Sequence, residues 1–184
     1  SSDSLGSVTI NTSSFNDNKS IWLVVYASKN ITLKLVEAAN NSGFGDWLDN
    51  DSGTGAVTLL GLGTSGNHFH RNNSSGLFIL SAGTVTITNI YAEGNGGSGV
   101  YIDNTDGLGG VSILAASPLW MNGFSWNQGS AGLEIYSKGS IKLVNVSAWD
   151  NEVYGAYLDN CSDDGGCTGT GSVTISSLGT GMVN

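Results

Sequence analysis

Short runs that alternate β-branched and polar residues recur along the whole chain, and three longer stretches built from them align without a gap. Ile31 to Asn50, Val85 to Asn104 and Ile141 to Asn160 each open on an aliphatic residue. Each reaches an Asn ten positions later (Asn41, Asn95, Asn151) and a Gly four after that (Gly45, Gly99, Gly155). Each closes on Leu48-Asp49-Asn50, Ile102-Asp103-Asn104 or Leu158-Asp159-Asn160. The intervening segments repeat more loosely. Phe15, Phe69 and Phe124 stand three residues before Asn18, Asn72 and Asn127, and Leu23, Leu77 and Leu133 stand eight before the next aliphatic opening. A repeat this strict means that each copy sees the same surroundings, as the stacked coils of a solenoid do.

No window carries a 3.6-residue apolar period, so helices are not expected; the alternation, bounded by Gly, Asn, Ser and Asp, reads as short strands. Strands open at Val8, Ile31, Val57, Val85, Val111, Ile141 and Val173, at intervals of 23, 26, 28, 26, 30 and 32 residues. The pattern predicts an all-β, single-stranded parallel β-helix in one domain spanning 1–184. It has about six complete coils plus a partial seventh, starting near residues 7, 31, 56, 85, 110, 141 and 172. Within the coil 31–50, three strands are expected over 31–33, 34–38 and 46–49. Alternation points Ile31, Leu33, Leu35 and Ala38 inward and Thr32 and Lys34 outward. Leu48, Ile102 and Leu158 are expected in one inner file. Asn18, Asn41, Asn72, Asn95, Asn127 and Asn151 are expected at sharp corners, where Asn tolerates left-handed backbone and can bond to its neighbours in ladders.

Composition narrows the function. The chain has 184 residues, 28 Gly, one Pro, 11% charged residues and a formal net charge of −9. Its six Lys and Arg are scattered singly, which argues against nucleic acid and against an anionic membrane surface. No apolar run approaches the roughly 18 residues needed to span a bilayer. The two cysteines, Cys161 and Cys167, flank five residues in an insertion and are expected to form a loop-closing disulfide, which favours an oxidising, extracellular setting. Asn-x-Ser/Thr sequons, among them Asn11, Asn30, Asn72 and Asn145, become glycans only in a host that glycosylates.

The phrases Gly132-Leu-Glu-Ile-Tyr-Ser-Lys-Gly-Ser-Ile-Lys-Leu-Val-Asn-Val-Ser-Ala148 and Tyr154-Gly-Ala-Tyr-Leu-Asp-Asn160 resemble the right-handed parallel β-helix repeats of bacterial cell-surface and adhesin-like proteins. The resemblance covers nearly the whole chain and implies right-handed winding and an extracellular, cell-surface location. It implies no single activity, because this fold hosts polysaccharide lyases, glycosidases, adhesins and phage spikes.

Candidate chemistry is sparse. The only Arg, Arg71, and the only two His lie together in His68-Phe69-His70-Arg71. The repeat aligns Phe69 with Phe15 and Phe124 and places no carboxylate pair beside His68, His70 and Arg71, so general acid–base work lacks its second member. No catalytic residue, resident metal or cofactor is assigned, and the chain reads as a non-enzyme. The turns after the third strands are Ca²⁺ candidates through Asp49 and Asp51, Asp103 and Asp106, or Asp159 and Asp163, although Asp-Asn turns arise without a cation.

Outward aromatics offer more. Trp47, Tyr101 and Tyr157 recur every second coil, ~10 Å apart, and are candidates for stacking on sugar rings. Trp22, Val24, Tyr26, Phe78, Leu80 and Tyr136 form a candidate interface stripe, covered either by another subunit or by the insertion from Ala115 to Gly123. Neither end carries a polar cap, which suggests end-to-end stacking or a longer fibre. Three readings result. The leading one is an extracellular structural or adhesive solenoid that self-associates. The others are a carbohydrate-binding module and a fragment of a polysaccharide lyase or hydrolase.

Overall fold

The structure, a computed structural model, describes residues 6–20, 22–160 and 169–179. All seventeen strands among them lie in parallel ladders, and each coil contributes to three faces. The first two faces are continuous in β1 (Val8–Asn16) and β3 (Ile31–Ala39), which bend sharply at Thr12 (φ 46°) and Leu35 (φ 51°). In later coils the same run is split into pairs. These are β5 (Val57–Leu60) with β6 (Asn67–His70), β8 (Val85–Thr88) with β9 (Ile90–Glu93), β11 (Val111–Leu114) with β12 (Asn122–Ser125), and β14 (Ile141–Val144) with β15 (Val146–Trp149). The third face stacks β2 (Leu23–Tyr26), β4 (Asp46–Asn50), β7 (Leu77–Ser81), β10 (Val100–Asn104), β13 (Ala131–Ser137) and β16 (Tyr154–Asp159). A seventh coil opens with β17 (Val173–Ser176).

Register follows the repeat. Val8, Ile31, Val57, Val85, Val111, Ile141 and Val173 are successive partners on the first face. On the third, Val25, Leu48, Ile79, Ile102, Ile135 and Leu158 form one inner file. The second face contributes Phe15, Ala38, Phe69, Ala92, Phe124 and Ala148. Here large alternates with small, so each ring packs over a methyl group, and this alternation gives the sequence its two-coil period.

One inward assignment is corrected. Leu35 is not in the core. It takes the left-handed corner and is half-buried, and the reversal of phase turns Val36 inward at 1% exposure. The second corner follows the same rule. Asp17, Asn40, Arg71, Gly94, Trp126 and Asp150 all adopt positive φ. The left-handed residue is therefore the one before each ladder Asn, not the ladder Asn itself.

The six Asn at this corner form one continuous ladder. Asn41 Nδ2 donates to Asn72 Oδ1 at 2.9 Å, Asn72 to Asn95 at 3.0 Å, Asn95 to Asn127 at 2.9 Å and Asn127 to Asn151 at 2.9 Å. From Asn41 onward each Nδ2 also donates to a carbonyl of the coil on its other side, as Asn95 does to Phe69 O at 3.1 Å, whereas Asn18 Nδ2 donates to Asn16 O of its own coil at 2.7 Å. The glycines that follow have a matching cause. A Cβ on Gly45, Gly76, Gly99 or Gly132 would come within 2.3–2.7 Å of the carbonyl oxygen of the equivalent glycine in the next coil. At the third corner Asn50, Asn104 and Asn160 alternate with Ser81 and Ser137, and Asn104 donates to Ser81 O at 2.8 Å. The sequons at Asn72 and Asn145 are committed to such bonds and are 1% and 6% exposed, so neither offers an amide for glycosylation.

The third face also carries an anomaly. Asp46 lies in the inner file Leu23, Asp46, Leu77, Val100, Leu133, Ala156. It is fully buried, and neither carboxyl oxygen has a hydrogen-bond partner. Burial pushes its pKa well above the ordinary carboxylate value.

Candidate functional site

Two surfaces collect the chain's unusual side chains. The first is the outer side of the third face. Register places Val24, Trp47, Phe78, Tyr101, Glu134 and Tyr157 in one outward file, and Tyr26, Asp49, Leu80, Asp103, Tyr136 and Asp159 in the next. The sugar-stacking and interface candidates of the sequence are thus interleaved on a single surface.

Their rings touch in an unbroken series. Phe44 lies 5.4 Å from Trp47 and 5.2 Å from Phe78, and Trp47 lies 4.9 Å from Phe78. Phe78 stacks on Tyr101 at 4.8 Å with 5° between planes. Tyr101 meets Tyr136 at 5.7 Å, Tyr136 meets Tyr157 at 5.6 Å, and Tyr157 meets Tyr154 at 5.5 Å. Ring pairs of this kind contribute ~0.5–1.5 kcal/mol each beyond the area they bury.

The gap at Glu134 is filled by its carboxylate, which accepts from Tyr136 OH at 2.7 Å and from Ser98 Oγ at 2.8 Å. Burial, followed by that bond, pushes the Tyr136 phenol far up, so it stays protonated. Burial and the nearby Asp103 and Glu134 carboxylates also raise Tyr101. Trp22, Val24 and Tyr26 continue the surface and are exposed. No Lys or Arg lies on the six strands of this face.

The insertion, one of the two covers offered for this surface, lies elsewhere. Trp120, from the insertion after β11, packs against Tyr91 on the second face, with ring centres 5.0 Å apart, and is buried there. Two of the acidic turns carry local hydrogen bonds. Asp103 Oδ1 accepts from Thr105 N at 3.1 Å and from Thr105 Oγ1 at 2.7 Å, and Asp49 Oδ1 accepts from Asp51 N at 3.4 Å. Among the described residues no group of three or more His, Cys, Asp or Glu is arranged to hold a metal ion. Asp163 and both cysteines of the expected disulfide, Cys161 and Cys167, lie outside the described residues.

The second surface is a recess of about 350 Å³ on the second face, lined by His68, His70, Arg71, Tyr91 and Glu93. Glu37, His68 and Tyr91 are partners on successive coils, as are Ala39, His70 and Glu93. Where the repeat places no carboxylate pair, the structure brings both Glu37 and Glu93 beside the imidazoles. The repeat compares coils at equal positions, whereas the recess gathers unlike residues from three neighbouring coils. Glu37 Oε1 lies 3.5 Å from His70 Nε2. The His68 and Tyr91 rings are 5.5 Å apart. Burial lowers the His68 pKa; Glu37 raises it and His70 lowers it further. Tyr91 lies over Gly123, where a Cβ would come within 2.5 Å of the ring. Arg71 stands at the rim because it occupies the left-handed corner.

A stack of parallel coils, pinned by Asn at its corners and bearing side-chain files on three faces, defines a parallel β-solenoid. The family model described as "Right handed beta helix region" matches residues 1–108, and the chain belongs to this family. No curated protein and no solved structure matches the chain. Membership establishes the fold and its right-handed winding, not a reaction.

Proposed function

We propose that this chain is an extracellular adhesive β-solenoid module whose working surface is the ring series on the third face, and that it holds a neutral polysaccharide laid along the solenoid axis. The observation that carries this reading is the unbroken contact of seven rings, from Phe44 to Tyr154, on a face whose six strands carry no Lys or Arg. Most ring planes are tilted by 46–58° to the next, which leaves oblique apolar edges for the C–H faces of sugars. Phenol and carboxylate groups beside them can meet sugar hydroxyls. The same acidity disfavours an acidic polysaccharide, and it disfavours a second copy of this face, which would set Asp49, Asp103 and Asp159 against their equivalents.

The test is affinity electrophoresis through gels containing neutral or acidic polysaccharides, with sedimentation in parallel. Retardation by a neutral polymer, reduced at least tenfold in affinity by the double change Trp47→Ala and Tyr101→Ala, supports the reading. Absence of retardation, together with concentration-dependent association that the same double change removes, would replace it with lateral self-association.

A further inference from the structure

We infer that the recess on the second face is a separate binding site, shaped for a single neutral sugar residue. The chain has one Arg, two His and four Glu. The Arg, both His and Glu93 line this one recess, with Glu37 at its side. Such convergence is unlike the rest of a surface dominated by Thr, Ser and Asn.

Three of the recess groups are left uncommitted. His70 Nε2 lies 3.5 Å from Glu37 Oε1, a contact that is an ion pair only when the imidazole is protonated. The Arg71 guanidinium, the Glu93 carboxylate and the Tyr91 hydroxyl make no side-chain hydrogen bond or ion pair. A concave site of a few hundred Å³ with an aromatic wall and several uncommitted donors and acceptors is the general form of a small-ligand pocket.

Charge selects the ligand. With neutral imidazoles, Glu37 and Glu93 outweigh Arg71 by one, and the whole chain carries −9, so an anion is disfavoured. A vicinal diol suits a carboxylate acceptor opposed by a guanidinium donor. The Tyr91 ring supplies the surface for the sugar's C–H face, and its position is fixed from behind by Gly123 and from the side by Trp120.

Because the chain has only two histidines, their imidazole signals give a two-line readout by nuclear magnetic resonance. The whole chain is titrated separately with glucose, galactose, mannose and N-acetylglucosamine, and then with glucuronate, glucosamine and inorganic phosphate. The expected result is a saturable shift of both lines with at least one neutral sugar. Glu93→Ala should weaken it at least tenfold and Arg71→Gln severalfold, while Trp47→Ala on the third face leaves it unchanged. No saturable shift, a response confined to the charged ligands, or full affinity in both recess variants would overturn the proposal. Loss of the response in Trp47→Ala would also overturn it, by assigning the binding to the ring series instead.

Discussion

A single misplaced carboxyl shows how closely side-chain identity is tied to position in this fold. Asp46 stands where its file otherwise carries Leu, Val or Ala, its partners on the adjacent strands are Leu23 and Leu77, and the buried cluster of the bore is made of apolar residues. None of these can pair with a charge. Its pKa is raised in the fold, so the protonated form is the one buried. Below the ordinary carboxylate value of about 3.9, folded and unfolded chains hold this proton alike. As pH climbs above that value the unfolded chain ionises and the folded one does not, so stability falls by up to about 1.4 kcal/mol per pH unit until the raised pKa is passed. Thermal melts across pH 3.5–8 should therefore show Asp46→Leu raising Tm most at the alkaline end and least at the acid end. Exposed Asp106→Asn should leave the wild-type slope intact, and an Asp46→Leu chain that keeps that slope would show the carboxyl to be irrelevant. The ladder Asn obey the opposite logic, because each is fully bonded. Asn95→Ala removes bonds to Phe69 O and Asn127 and strips Asn72 of its acceptor, at a cost of about 3 kcal/mol. Asn18→Ala, at the half-buried start of the ladder, should cost about 1 kcal/mol by denaturant titration.

At the scale of strands, the alternation of Phe15, Ala38, Phe69, Ala92, Phe124 and Ala148 is the physical content of the two-coil repeat. A ring in every coil would overfill the bore, and a methyl in every coil would leave voids. Phe124→Ala should lose about 3–5 kcal/mol and Ala92→Leu about 1–3 kcal/mol in equilibrium unfolding. The same alternation explains what could be read from the chain before its structure. Strand openings such as Ile31, Val85 and Ile141 were legible because register repeats the same residue at each level. The bend at Leu35 was not, since its side chain looks like any inward aliphatic and only the change of phase at Val36 betrays it. The carboxylates beside His68 and His70 were hidden for a related reason. Glu37 and Glu93 belong to neighbouring coils at equivalent depth, and aligning repeats invites comparison of like with like rather than of residues in contact. The insertion that carries Trp120 corresponds in place to the ring-free connection 61–66 between β5 and β6, so its docking against Tyr91 left no trace in the pattern.

For the whole molecule, the consequence of this architecture is that each coil is stabilised chiefly by the two beside it. The inner residues of β5, β8, β10 and β13 are fully buried, whereas Leu23 in β2 is half-buried and Val24 and Tyr26 are exposed. In β17, Val173 and Ile175 are 45% and 53% exposed. Opening a central coil must break two interfaces, and opening β2 or β17 breaks one within the described chain. Asp46 lowers the cost further on the β2 side at neutral pH, since its neighbour Leu23 is the first residue to part from it. Amide exchange at pH 7 should therefore give the strongest protection in β8 to β10 and a graded decline toward β2 and β17. Lowering the pH should extend protection toward β2 but not toward β17, once rates are corrected for intrinsic exchange. A uniform protection profile would mean that the coils open together, and the solenoid would then have to be treated as one cooperative unit rather than a row of coupled ones.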